Sequence, residues 1–298
     1  MSSVIIHLDR NINDDVSDFE YLFRLFNQHR DHQDKHIRFQ FTGCEFLRPN
    51  AVAFLGGMTR WLRHKNNDLV YDLEGLPNNV RMNLEQNGFL HTLGIGSSPW
   101  DGNSVPYRED HTYRSDFTDY LKERWLGKGW LSVSEDLKRY IAGSMVEIYD
   151  NGCNHARSPI GTFTCGQHFP KLKELKLAFV DFGVGIPFNV REYLKTPFIT
   201  SRDALQWAFT PGHTTRDKLD NLARGNGLKL LTDFMDANNG KMEVYSDTGF
   251  ARVGRGTPVF QEREVQFHGT FVQVSLKCDS RHYTLPSEDD FDSQEDLF

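Results

Sequence analysis

Strand and helix signals alternate through the first hundred residues, and that alternation constrains the fold more than any other feature of the chain. "SVIIHL" reads as a strand and "DDVSDFEYLFRLFNQHR" has apolar residues at helical spacing; "HIRFQFTG" alternates as a strand does, and "AVAFLGGMTRWLRHKN" is helical again. "NDLVYDLEG" and "NVRMNLEQNGFLHTLG" repeat the pair. Strands separated by helices of this length predict an α/β region, a sheet covered by helices on at least one face. The 298 residues suffice for two domains of ordinary size. Between residues 95 and 132 the pattern weakens, and "GIGSSPWDGNSVPYRED" gathers the Gly, Ser, Pro and Asp of a surface connection. We therefore expect an N-terminal α/β domain over 1–100, a connector over 101–130, a second α/β (α+β) domain over 131–280, and an acidic, disordered tail over 281–298 ending "SEDDFDSQEDLF".

Composition narrows the partners. The net charge of −7 gives no general attraction to a phosphate backbone or an anionic membrane, so nucleic acid is not favoured. No apolar run approaches the length of a membrane span, the N-terminus "MSSVIIHLDRN" lacks a secretory signal, and the 4 cysteines are too few and scattered for a disulfide framework. A cytoplasmic protein is the expectation.

The second domain carries the chemistry. In "LSVSEDLKRYIAGSMVEIYDNGCNHA", Leu137, Ile141, Met145, Ile148 and Gly152 fall on one helical face, and Tyr140, Ser144, Glu147, Asn151 and His155 form a strip beside it. Ser132 with Glu135 three residues on is a capping signature for the start of this helix. A polar strip along the border of a core is either a solvated edge or the wall of a site. In "LAFVDFGVGIP" a strand ends on Asp181, and Gly183 and Gly185 turn the chain so that its backbone can approach a flat ligand. A carboxylate there can accept from an exocyclic amine, which selects adenine over guanine. Further on, Gly225 and Gly227 in "ARGNGLKLL" feed a helix N-terminus suited to phosphate, and Thr214, Thr215, Arg216, Lys218 and Arg224 precede it in a loop-like stretch able to fold over a triphosphate. No Gly-Lys-Ser/Thr follows the glycines, so this is neither a Walker loop nor a Rossmann fingerprint.

In this order and spacing the pieces resemble the GHKL ATPase superfamily, which includes type II topoisomerases, mismatch-repair ATPases, histidine kinases and anti-sigma-factor serine kinases. "EIYDN" with "NHA" resembles its N box, "DFGVG" and "GNGLKLL" its two glycine boxes, and "GTFVQVSL" its closing Gly-Thr strand, over Leu131 to Leu276. The resemblance implies a Bergerat-type two-layer α/β sandwich with a mixed sheet, binding ATP and Mg²⁺ beneath a lid. Carried over by position, Asn151 corresponds to the Mg²⁺ ligand, Glu147 to the general base, Asp181 to the adenine-reading carboxylate and Thr270 to its helper through water. Gly183, Gly185 and Ile186, and Gly225, Asn226, Gly227 and Leu228, correspond to the two glycine boxes against the nucleotide; His155 touches phosphate or closes the helix. Asn154 stands where many histidine kinases have a basic residue, and Lys229 replaces the second glycine of the commoner Gly-Leu-Gly-Leu.

The N-terminal region, through "IRFQFTGCEFLRPNAVAFLGGMTRWL", "LVYDLEG" and "VRMNLEQNGFLHTLG", resembles a STAS-like domain. Arg48, Pro49, Asn50 and Ala51 occupy the stretch where regulated members carry a phosphorylated serine, which implies a docking or sensing module. The resemblances together imply an ATPase acting as a nucleotide-controlled switch for a protein partner, reached through the STAS-like domain or the acidic tail. The alternatives are a serine/threonine kinase using Glu147 on a substrate hydroxyl, and a scaffold that holds ATP without turnover. Lid-mediated homodimers are common among similar ATPases.

Overall fold

The computed structural model describes residues 2–213 and 227–285, with 227 and 228 as helix backbone only. The chain opens with β1 (Ser3–His7), α1 (Val16–His29), β2 (His36–Gln40), α2 (Pro49–His64) and β3 (Asp68–Asp72), then α3 (Asn78–Gln86) and the single-turn α4 (Phe89–Thr92). The three strands pair in parallel in the order β1-β2-β3. A capping box starts α1: the Asp15 carboxylate accepts from the Asp18 N–H at 3.1 Å, and the Asp15 N–H donates back to Asp18. Gly88, at φ 85°, breaks the run "NVRMNLEQNGFLHTLG" into α3 and α4.

The second sheet begins earlier than the sequence suggests. β4 (Ser104–Asp110) lies inside the expected connector and pairs with β5 (Thr162–Phe169). Its proline, Pro106, is tolerated because β4 is an edge strand and the register shifts between Val105 and Arg108. The rest of the expected connector is also structured: α5 (Phe117–Asp119) runs into a π-helical turn, Tyr120–Trp125, whose Leu121 and Trp125 are fully buried. After these come α6 (Glu135–Asn154), β5, β6 (Glu174–Asp181), α7 (Ile186–Leu194), α8 (Ser201–Ala208), α9 (Gly227–Asn238), β7 (Lys241–Val253) and β8 (Val259–Lys277). The sheet order is β4-β5-β6-β8-β7, and each of these pairings is antiparallel. A mixed sheet was the expectation, and it is corrected here.

Helices α6, α8 and α9 of the second unit pack on one face of the large sheet, and the N-terminal helices cover the other. Along β6, Leu175, Leu177 and Phe179 join the core shared with α6 and α9, while Ala178, Val180 and, just past the strand, Phe182 join the core shared with α1 and α2. β8 alternates in the same way, with Val272, Val274 and Leu276 on the first side and Phe267 and Phe271 on the second. The N-terminal helices are therefore a layer sandwiched between the small sheet and the large one. Phe19 stacks on Tyr245 at 4.3 Å, Phe23 on Phe267 at 4.6 Å, and Phe54 meets Phe182 at 5.3 Å. The opposite end of this contact is polar: Asp14 pairs with Lys176 and Arg48 and accepts from Gln273 Nε2.

The helix with the polar strip starts from Ser134, not Ser132; the Ser134 Oγ accepts from the Leu137 N–H at 3.1 Å. Ser134→Ala removes that cap and is expected to lower stability by about 1 kcal/mol in urea unfolding, whereas Ser132→Ala leaves the cap intact. At the other end of the chain, Tyr283 is buried, forms a bridge with Val133 and packs edge-on against Phe234. The expected tail is thus held in place through residue 285, and residues 286–298 lie outside the described residues. Among the described residues no helix is long and apolar enough to cross a membrane.

Candidate functional site

The polar strip of α6 divides in two. Ser144 is buried and its hydroxyl donates to the Tyr140 carbonyl at 3.1 Å, so this part of the strip belongs to the helix's packed side. Glu147, Asn151 and His155, on the next two turns, line a cavity of about 570 Å³. Gly152 lets the helix lie close to the sheet here, since a Cβ at that position would overlap the Phe179 ring and crowd Thr162. His155 closes the helix: its N–H donates to the Asn151 carbonyl at 3.0 Å, and its own carbonyl accepts from Asn189 Nδ2 at 3.2 Å.

Across the cavity, β6 ends on Asp181, whose side chain is on the α6 side of the sheet and is 1% exposed. The Gly183 N–H donates to its Oδ1 at 2.9 Å, and Thr270 is its register partner on β8. Burial pushes the Asp181 carboxyl up to about 7, and hydrogen bonds from Gly183 and Thr270 offset only part of that rise. A buried carboxyl at the wall of a cavity, accepting from neutral donors, is suited to reading a ligand's hydrogen-bond donor.

The turn after Asp181 is tied down on both sides. Gly183 is needed because a Cβ there would run into the Ala156 carbonyl, just beyond α6, to which the Val184 N–H donates at 2.7 Å. Gly185 has φ 80° and lines the cavity; a Cβ there would come within 2.6 Å of Ser246 Oγ and 2.9 Å of the Gly269 carbonyl. Ser246 Oγ accepts from the Ile186 N–H at 2.9 Å and donates to the Gly269 carbonyl at 2.8 Å, which fixes the start of α7 to the sheet.

Seven predicted residues, Glu147, Asn151, His155, Asp181, Gly185, Ile186 and Thr270, therefore line one cavity although they span 124 positions of sequence, 147 to 270 inclusive. Gly183 is not among the lining residues; its role is the close approach to Ala156. Thr214, Thr215, Arg216, Lys218, Arg224, Gly225 and Asn226 lie outside the described residues, while Gly227 and Leu228 open α9. Lys229, Thr232 and Asp233 bring the inner face of α9 to the cavity. Their spacing of three and four is that of one helical face, the signal by which Thr232 and Asp233 could have been found in the sequence. Nothing in the sequence marks Trp207 and His213, whose rings stack at 4.8 Å on the rim, or Phe260 from the β7–β8 hairpin.

Three carboxyl side chains, those of Glu147, Asp181 and Asp233, line the cavity. Glu147 and Asn151 stand one helical turn apart, a carboxylate and a carboxamide, with the buried Asp181 elsewhere on the lining. Among the described residues no group of three or more His, Cys, Asp and Glu side chains could hold a metal by itself. A scan against protein-family models matches none, and a search of curated proteins returns no match for this chain.

Proposed function

We propose that this chain binds Mg·ATP in the cavity beneath α6 and hydrolyses it, serving as a nucleotide-controlled switch for a protein partner. The observation that supports this most is the meeting of Glu147, Asn151, Asp181, Gly185 and Thr270 around one cavity. Those are the residues to which the GHKL resemblance gives separate roles. A cavity of about 570 Å³ is within the usual range for small-molecule sites.

In this reading Asp181 accepts from the exocyclic amine of adenine, and the absence of a side chain at Gly185 lets the base lie against the backbone. Lys229 and the N-terminus of α9 face the phosphates, favouring negative charge there. Asn151 fits a Mg²⁺ ligand: it offers a hard amide oxygen on the cavity wall, and this ion is commonly held by one or two protein oxygens together with phosphates and waters. When bound, Mg²⁺ neutralises charge on the phosphate oxygens. Glu147 takes a proton from the attacking water and orients it toward the γ-phosphate. The partner engages the N-terminal unit, whose small sheet turns Ile5, Arg38 and Val70 outward into solvent, away from α1 and α2.

Steady-state phosphate release by the purified chain tests this proposal. The expected result is turnover with Mg·ATP that stops when Mg²⁺ is chelated. Tight ATP binding with no release would favour a scaffold, and transfer of label to a protein hydroxyl would favour a kinase.

A further inference from the structure

Two adjacent glycines, Gly56 and Gly57, lie within the helix α2, where each is disfavoured relative to alanine by its backbone freedom in the unfolded chain. Both have a packing reason. A Cβ on Gly56 would overlap the Tyr107 ring of β4, and a Cβ on Gly57 would overlap the ring of Phe182. Phe182 is the residue immediately after Asp181, and it points to the opposite side of the sheet, where it is 2% exposed. Its ring meets Phe26 of α1 edge-on at 4.9 Å, Phe54 of α2 at 5.3 Å and Phe267 of β8 at 5.4 Å.

The backbone around Phe182 is equally confined. The Asp181 carbonyl lies so close to Gly269 that a Cβ there would overlap it, and Gly183 abuts the Ala156 carbonyl. With so little free space on either side, a change in the seat of the Phe182 ring is passed to the neighbouring backbone, Asp181 included, rather than taken up by a void.

We propose that Phe182, seated on Gly57 and gripped by α1 and α2, is a positioning residue that holds the Asp181 carboxylate where it reads the base. The N-terminal unit then supports the nucleotide site from behind the sheet without lining it. This inference rests on the nucleotide reading above.

The test uses the full chain and compares Mg·GTP with Mg·ATP dissociation constants at pH 8, together with melting temperature. Phe182→Leu and Gly57→Ala disturb the seat; Gly56→Ala disturbs the same helix through Tyr107 instead. The expected result is a GTP-to-ATP ratio about tenfold smaller in Phe182→Leu and Gly57→Ala, and a wild-type ratio in Gly56→Ala even where its melting temperature falls. A folded Phe182→Leu with the wild-type ratio would overturn the proposal, as would an equal loss of discrimination in Gly56→Ala. If Gly57→Ala does not fold, Phe182→Leu decides the matter. Failure of the nucleotide reading has a different appearance: wild-type protein would then show no base preference before any substitution is made, and the proposal would fall with it.

Discussion

Glu147→Ala is expected to bind Mg·ATP within about threefold of wild type while releasing phosphate at least ~10²-fold more slowly. The side chain is half-buried on the cavity-facing side of α6, one turn before Asn151, and contributes nothing to the apolar face formed by Leu137, Ile141, Met145 and Tyr149. Its loss should therefore leave the fold and the base-reading end of the cavity intact. A proton acceptor that engages the attacking water contributes in the transition state and little in the ground state, which separates turnover from binding. Quench-flow or steady-state phosphate assays, paired with binding calorimetry, measure both terms. Normal turnover in Glu147→Ala would transfer the base role to another group.

Asp181→Asn should change three properties together. In the wild type the carboxyl titrates near 7, so at pH 6 only about a tenth of the molecules carry the anion that accepts from adenine. ATP affinity is then expected to rise about tenfold between pH 6 and pH 8 and to level off above that. The carboxamide introduced by Asp181→Asn has no such titration, so the variant's affinity should be flat with pH and its preference for ATP over GTP should collapse. Stability moves in the opposite direction. Below the unfolded-state value near 3.8 both states hold the proton; between there and about 7 the unfolded carboxyl ionises while the buried one stays protonated. Rising pH therefore destabilises the wild type across that window, by on the order of 4 kcal/mol at most, and the loss is complete above about 7. Asp181→Asn escapes that loss, and its amide oxygen can still accept from the Gly183 N–H. It should thus melt higher than wild type at pH 8, with the difference shrinking toward pH 4.

The sequence and the fold agree where local chemistry decides. Phe19, Leu22, Phe23 and Phe26 recur at helical spacing, and α1 forms there with its aromatic face buried. Glu147, Asn151 and His155 are spaced by four, and all three line the cavity. The glycines after Asp181 mark a turn of restricted conformation, and each does have a backbone or side-chain neighbour in the place of its missing Cβ.

What could not be read is set by distant partners. The strand β4 contains Pro106 and follows a Gly- and Ser-rich stretch, so only its pairing with β5 distinguishes it from a connector. An antiparallel rather than mixed sheet depends on strand order, which apolar periodicity does not encode. The apolar run "LAFV" within "LKLAFVDF" is that of a strand buried on both faces, yet it does not say that α1 and α2 are what cover the second face. Nor do Gly56 and Gly57 reveal, without the fold, that Tyr107 and Phe182 fill the space they leave. Trp207 reaches the rim of the cavity because α8 packs against β7, a contact between elements about forty residues apart in the chain.

Titration calorimetry of the wild-type chain with Mg·ATP at pH 8 decides whether the cavity beneath α6 holds the nucleotide. A saturable isotherm with one site per chain, weakened for Mg·GTP, is the predicted result. An absence of heat and of any rise in melting temperature with Mg·ATP, in a protein that is folded, would contradict it.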